Sequence, residues 1–245
     1  MEQNKLNRSF RIFKTPFDLA KAFAQELVND INAAAEKQSS FTIALSGGNT
    51  PALLYSVLAE KYGSSVDWSI VHFFWGDERC VPPDDPESNF WMVFVKLLSK
   101  IDIPLQNIHR IAGENIPEIE AERYSEEILR NTRIFNDLPV FDHIVLGMGN
   151  DGHTVSVFPS NKELLFSDKL CDVTSHPVTR KKRVTITGKV INNSDAVTFL
   201  VTGHSKARTV ERIFKKESDF PASFIRPLHG KLEWFLDAEA GKYIQ

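Results

Sequence analysis

Apolar residues recur at helical spacing from Leu19 through Phe23, Leu27 and Ile31, which predicts a long amphipathic helix with one buried stripe. Thr15 and Pro16 suit its N-cap and first helical position, because a threonine oxygen can accept an orphan amide and proline has none to lose. Phe10 to Phe13, just before, predicts an edge strand. FTIALSGG (Phe41 to Gly48) reads as a strand ending in a glycine loop. A helix from Pro51 follows, with Leu54, Val57, Leu58 and Tyr62 as its stripe and Gly63 placed to stop it. The alternation continues with a strand near Ser69 to Trp75, a loop to about Glu87, and a helix opening at Ser88 that carries Phe90, Val93, Phe94, Leu97 and Leu98. Ser88 fits a cap better than a nucleophile. A charged helix, Pro117 to about Ile134, precedes FDHIVLG (Phe141 to Gly147), whose continuous apolar run predicts a buried strand. Val184 to Thr187 and Ala196 to Thr202 are two further strands, and the alternating LEWFLD (Leu232 to Asp237) is expected as a late edge strand. Strands alternating with helices predict an α/β fold with a mainly parallel sheet covered on both faces.

With 245 residues, 42% of them hydrophobic, the chain can bury a substantial core without disulfides, and its length suits a single domain over 1–245. Cys80 and Cys171 are too few for a disulfide framework, which fits a reducing compartment. A net charge of −3 with interspersed signs gives no global pull toward nucleic acid or anionic membrane. The N-terminal MEQNKLNRSFRIFKTP lacks the apolar core of a signal peptide, and no run approaches the roughly 18 apolar residues a membrane helix needs. A cytoplasmic protein with a small-molecule partner is expected. The basic run Arg180 to Arg183 is short and lacks stacking aromatics, so it reads as a solvated loop.

Four polar motifs stand at strand ends, where α/β sheets gather ligands. In LGMGNDGHTVSVFP (Leu146 to Pro159), Asp151 and His153 lie two residues apart among glycines. Imidazole suits general-base work with a carboxylate fixing its tautomer, although a histidine merely hydrogen-bonded at a helix start has the same pattern. The motif supplies one Asp and His pair without HExxH or CxxC, so no metal is expected. SGGNTP (Ser46 to Pro51) offers backbone amides to an anion, with Thr50 as the helix cap. It is neither a Walker loop nor a dinucleotide fingerprint, and a plain tight turn is its bland alternative. WGDERCVPPDDPESN (Trp75 to Asn89) clusters Asp77, Glu78 and Arg79. Arg79 can hold an oxyanion or phosphate, Asp77 can orient a base or serve as one, and a surface ion-pair cluster would look the same. In VTGHSKA (Val201 to Ala207), Lys206 occupies a first helical turn, where the dipole disfavours a cation unless an anion sits between. His143 and His204 read as structural or rim residues.

In order and spacing over most of the chain, ALSGGNTP, GDERCVPPDDPESNF, FDHIVLGMGNDGHTVSVFP, RVTIT, INNSDAVTFLVTGHSKA, PASFIRP and LEWFLDAEA resemble the 6-phosphogluconolactonase family. That family lies within a wider group that includes glucosamine-6-phosphate isomerase (deaminase). The resemblance implies a three-layer α/β/α Rossmann-like domain that hydrolyses 6-phosphoglucono-δ-lactone in the oxidative pentose phosphate pathway without a cofactor. By motif position it implies that Ser46, Gly47, Gly48, Asn49, Thr50 and Lys206 hold the 6-phosphate. It likewise implies that Arg79 lies near the substrate, His153 is the general base and Asp151 sits in its shell, with Asp77 beside them in a role left open.

The deaminase and a non-catalytic sugar-phosphate-binding regulator are the alternatives. In the deaminase the DGH motif is followed by a Glu just before a Pro, and that Glu partners the histidine in ring opening. Here the place is Phe158, before Pro159, and a phenyl ring relays no proton. GDER also resembles the lactonase version of its motif. VSVFPS stands where ASLFPG is more usual, a change expected to affect pocket packing more than chemistry.

Overall fold

A computed structural model of the chain describes residues 9–215 and 219–244. Met1 to Arg8, part of the segment read above as lacking a signal-peptide core, lie outside the described residues. The first half runs β1 (Ser9–Phe13), α1 (Pro16–Glu36), β2 (Phe41–Leu45), α2 (Asn49–Tyr62), β3 (Val71–Trp75), β4 (Asp77–Arg79), α3 (Asn89–Lys96), β5 (Ile108–His109) and α4 (Pro117–Asn131). The second half runs β6 (Arg133–Phe135), β7 (Leu138–Val140), β8 (His143–Leu146), β9 (Cys171–Ser175), β10 (Lys182–Ile186), α5 (Gly188–Ile191), β11 (Ala196–Val201), α6 (Ala207–Phe214) and β12 (Lys231–Asp237).

The main sheet has seven strands in the order β1-β12-β11-β8-β2-β3-β5, and every neighbouring pair is parallel. Its strands are apolar on both sides because helices cover both. Adjacent residues of β12 show the division: Trp234 packs against Phe214 of α6, and Phe235 against Phe23 of α1. On the α6 side Tyr124 of α4 meets Phe74 of β3. The result is a three-layer α/β/α fold. The α1 stripe of Leu19, Phe23, Leu27 and Ile31 is buried as its spacing required, and the Thr15 hydroxyl accepts from the Asp18 amide at 3.1 Å to cap it. Full burial of such side chains stabilises by about 1.5–3 kcal/mol each.

Two buried tyrosines hold the strand ends that lead into the site. The Tyr55 hydroxyl donates to Ser46 O at 2.8 Å and accepts from Ser46 N at 3.1 Å. Tyr124 does the same for Trp75, at 2.9 and 2.8 Å. Each phenol satisfies a backbone donor and acceptor that the end of the ladder leaves over.

Two expectations are corrected. LEWFLD is not an edge strand, because β12 pairs with both β1 and β11. Its polar Asp237 is buried instead of solvated, and the carboxylate accepts from the amides of Gly203 at 3.0 Å and Ala240 at 2.8 Å. Asp77–Arg79 is not loop, since it pairs antiparallel with β10. The β10 strand, expected from Val184 to Thr187, therefore belongs to a separate sheet, β4-β10-β9. Gly63 does end α2 as expected, with φ −52° and so without a left-handed cap.

Candidate active site

The loops after β2, β3, β8 and β11 meet at the carboxyl end of the sheet around a cavity of about 470 Å³. Every expected site residue lines it except Asp151, which stands behind His153. Strand order sets their places: Lys206 follows β11, His153 follows β8, the glycine loop follows β2, and Asp77 to Arg79 follow β3.

Gly48 adopts φ +101° and is itself the N-cap of α2. Thr50, expected as the cap, is already inside the helix, and its hydroxyl lies 2.7 Å from that of Thr202. The cap needs a backbone conformation that glycine adopts without strain, and among the described residues no side chain caps the first-turn amides. The Ser46 hydroxyl is committed to Val145 O at 2.8 Å. Lys206 reaches the same cavity from the 3₁₀ turn before α6. Among the described residues its ammonium has no hydrogen bond or ion pair, and burial pushes its pKa down against a weaker opposing pull from Asp151. The cavity is thus lined by a half-buried ammonium and by open helix amides, the kinds of group that attract an anion.

His153 Nδ1 lies 2.6 Å from Asp151 Oδ1, which also accepts from the His153 amide at 3.2 Å. Burial alone would push the Asp151 carboxyl up, but the hydrogen bond and charge of His153 hold it below the usual range. An ionised Asp151 places the imidazole proton on Nδ1 and leaves the Nε2 lone pair free. A Cβ on Gly149 would stand 2.1 Å from His153 Nδ1 and 2.5 Å from Asp151 Oδ1, so only glycine admits this pair. No helix begins at His153. A turn bridging Thr154 and Val157 intervenes before the 3₁₀ helix at Pro159, which removes the helix-start alternative. The Phe158 ring packs on His153 with centroids 4.8 Å apart.

Asp77 is buried, and its carboxylate accepts from the Ser156 hydroxyl at 2.5 Å while its backbone carbonyl accepts from Asn89 Nδ2 at 2.8 Å. Arg183 Nη1 stands 3.8 Å from the Asp77 carboxylate. Arg79 Nη1 donates to Glu87 O. Glu78 is a buried cap for α3, accepting from the amides of Asn89 and Phe90 and from the Ser88 hydroxyl. Burial raises its pKa against those bonds. Ser88 is the N-cap residue, accepting from Trp91 N at 3.1 Å.

The sequence from residue 14 to residue 234 matches the family described as Glucosamine-6-phosphate isomerases/6-phosphogluconolactonase. The chain belongs to this family. A 6-phosphogluconolactonase of Haemophilus influenzae is 44% identical over 203 residues, covering 81% of this chain and 85% of that one. One from Aggregatibacter actinomycetemcomitans is 39% identical over 95% of this chain and 98% of its own. The crystal structure of devB protein superposes with a TM-score of 0.90 at 41% identity, covering 97% of this chain and 99% of that chain.

Arg183 is a pocket residue that sequence reasoning missed. Arg180, Lys181 and Lys182 are exposed as a solvated run requires, but Arg183 lies in β10 with its side chain 14% exposed and its guanidinium 5.6 Å from the Phe158 ring centroid. The available signal was strand alternation, which puts Arg183 on the same face as the buried Thr185. Asn89 and Ser156 were also missed, since a helix start and a turn give no periodicity to betray them. His143 is structural: its Nε2 meets the Thr198 hydroxyl at 2.9 Å, and burial pushes its pKa down to about 3. His204 is exposed, 3.3 Å from Glu239. Among the described residues no cluster of His, Cys, Asp or Glu could hold a metal, and no helix is long and apolar enough to cross a membrane.

Proposed function

We propose that this chain hydrolyses 6-phosphoglucono-δ-lactone to 6-phosphogluconate, the lactone-opening step of the oxidative pentose phosphate pathway. The observation that carries the reading is a His153–Asp151 pair in one cavity with an unpaired lysine and open helix amides. His153 Nε2 takes a proton from water as the oxygen attacks C1, and returns it to the ring oxygen when the C1–O bond breaks. Asp151 keeps the imidazole in the required tautomer and carries no substrate proton. The α2 amides and Lys206 hold the 6-phosphate, so remote binding energy fixes C1 against the histidine. Arg79 lies beside the substrate. Asp77, already accepting from Ser156 and facing Arg183, acts as an anchor and not as a base.

The reaction needs no cofactor or metal, and the partner is a sugar-phosphate lactone, not nucleic acid or membrane. The 245 residues act as one cytoplasmic domain. Deamination of glucosamine 6-phosphate is disfavoured because Phe158 is buried against His153 at the position where ring opening needs a proton relay. Lactone consumption above the spontaneous rate, with no ammonia from glucosamine 6-phosphate in a parallel assay, is the expected result. Ammonia release at a comparable rate would replace this reading with the deaminase, and binding without turnover with the regulator.

A further inference from the structure

Arg79 lines the cavity with its guanidinium held at one point. Among the described residues that group makes a single hydrogen bond, from Nη1 to the main-chain oxygen of Glu87, and its Nε is buried without a partner. Where Glu87 sits therefore decides where this cation points. Glu87 is an exposed residue of the loop between β4 and α3. Its amide donates to Asp85 Oδ1 at 2.7 Å, and its carboxylate accepts from the Lys181 ammonium at 2.6 Å. Lys181 belongs to the turn between β9 and β10. Among the described residues the backbone pairing of the two segments ends where Cys80 N donates to Lys182 O at 3.1 Å. The ion pair carries the link onward from that point, by side chains alone.

The turn that carries Lys181 is tied both to itself and to the base. His176 N donates to Lys181 O and Arg180 N to His176 O, each at 2.9 Å. His176 Nδ1 accepts from the amides of Val178 at 3.2 Å and Thr179 at 3.1 Å. The His176 ring meets Phe158 edge-on with centroids 5.2 Å apart, and Phe158 packs on His153 at 4.8 Å. A continuous chain of contacts thus runs from Arg79 through Glu87, Lys181, His176 and Phe158 to His153. None of the four residues between its ends lines the cavity.

We propose that the Lys181–Glu87 ion pair is a strap across this chain of contacts, and that both are positioning residues that fix Arg79 relative to His153. This rests on the lactonase reading above, in which Arg79 lies beside the substrate and His153 is the base. Neither strap residue touches the substrate. Their side chains are 52% and 51% exposed, so the pair is open to screening by salt and acts at the strength of a surface ion pair. Charge acting through space would have a different signature. An ammonium near the cavity attracts an anionic substrate and a carboxylate repels it, so the field alone gives the two residues opposite effects, whereas a strap needs both.

The test is lactone kinetics of Lys181→Met, Glu87→Gln and the exchanged pair, Lys181→Glu with Glu87→Lys. Each single variant is expected to lose roughly two- to fivefold in kcat/KM at low ionic strength, the size of an exposed ion pair. Both losses should shrink toward wild type in about 0.5 M salt, where the pair is screened. The exchanged pair should recover most of the loss, because it restores the contact with its charges reversed and leaves the main-chain oxygen of residue 87 to hold Arg79. A loss in Lys181→Met with a gain in Glu87→Gln would show a field effect on the substrate and overturn the proposal. No change in the single variants, losses that persist undiminished in salt, or an exchanged pair no better than the worse single variant would overturn it too. Should Lys181→Met fail to fold by circular dichroism, Lys181→Gln takes its place. Wild-type protein that opens no lactone would sink the functional reading itself, whereas an active wild type with any of those variant results sinks this inference alone.

Discussion

His153→Gln is expected to lower kcat for lactone hydrolysis by about 10²- to 10⁴-fold, the usual cost of losing a general base. Glutamine keeps polarity and nearly fills the space, but its amide cannot take a proton from water. The variant should fold normally, because His153 is partly exposed and its contacts are the Asp151 carboxylate and the Phe158 ring. Phosphate recognition should survive, since neither the α2 amides nor Lys206 bond to the imidazole. KM should therefore move little while kcat collapses, which marks an interaction needed in the transition state. The Asp151 carboxyl should also titrate higher in the variant, since the bond that holds it down is gone. Near wild-type kcat above the spontaneous background, in a protein with an unchanged circular dichroism spectrum, would remove His153 from the mechanism.

Lys206→Ala separates recognition from chemistry. Its ammonium is half-buried without a partner among the described residues, and burial disfavours its charge. An anion from the substrate reverses that penalty. The variant is expected to lose roughly 10- to 100-fold in kcat/KM on the phosphorylated lactone, as for a charge-assisted hydrogen bond, and little on unphosphorylated gluconolactone. The two substrates share C1 and differ in the phosphate, so the contrast reports where the lysine acts. Equal proportional losses on both would place Lys206 at the carbonyl or in the scaffold and break the phosphate assignment.

What the sequence made legible was what had a period or a motif. The stripe from Leu19 to Ile31, the Thr15 cap and the buried run into Leu146 each follow from local spacing, and local spacing decided them. The loops at the strand ends were legible because glycines, a carboxylate and an imidazole seldom crowd there without a ligand. Tertiary pairing decided the rest. Asp77 to Arg79 look like loop until β10 supplies their backbone partners. Asp237 looks solvated until the Gly203 amide from another loop and the Ala240 amide from the following turn reach it. Arg183 was hidden by its basic neighbours, because a charge run averages over residues whereas a strand sends each to its own face.

The placement of β12 between β1 and β11 also bears on how the molecule assembles. The Ser9 hydroxyl donates to Leu232 O across 223 residues of chain, so the first described strand finds its sheet partner near the far end. Such a pairing costs loop-closure entropy before it returns any stabilisation, which slows it relative to local contacts. β2 and β3, joined through a single helix, face no such delay. In pulse-labelled refolding the amides of β1 should gain protection after those of β2 and β3, and simultaneous protection would show that the sheet forms in one step. During synthesis β1 waits for its partner strand while more than two hundred residues follow it, and an unpaired strand in that interval is a template for pairing with another chain.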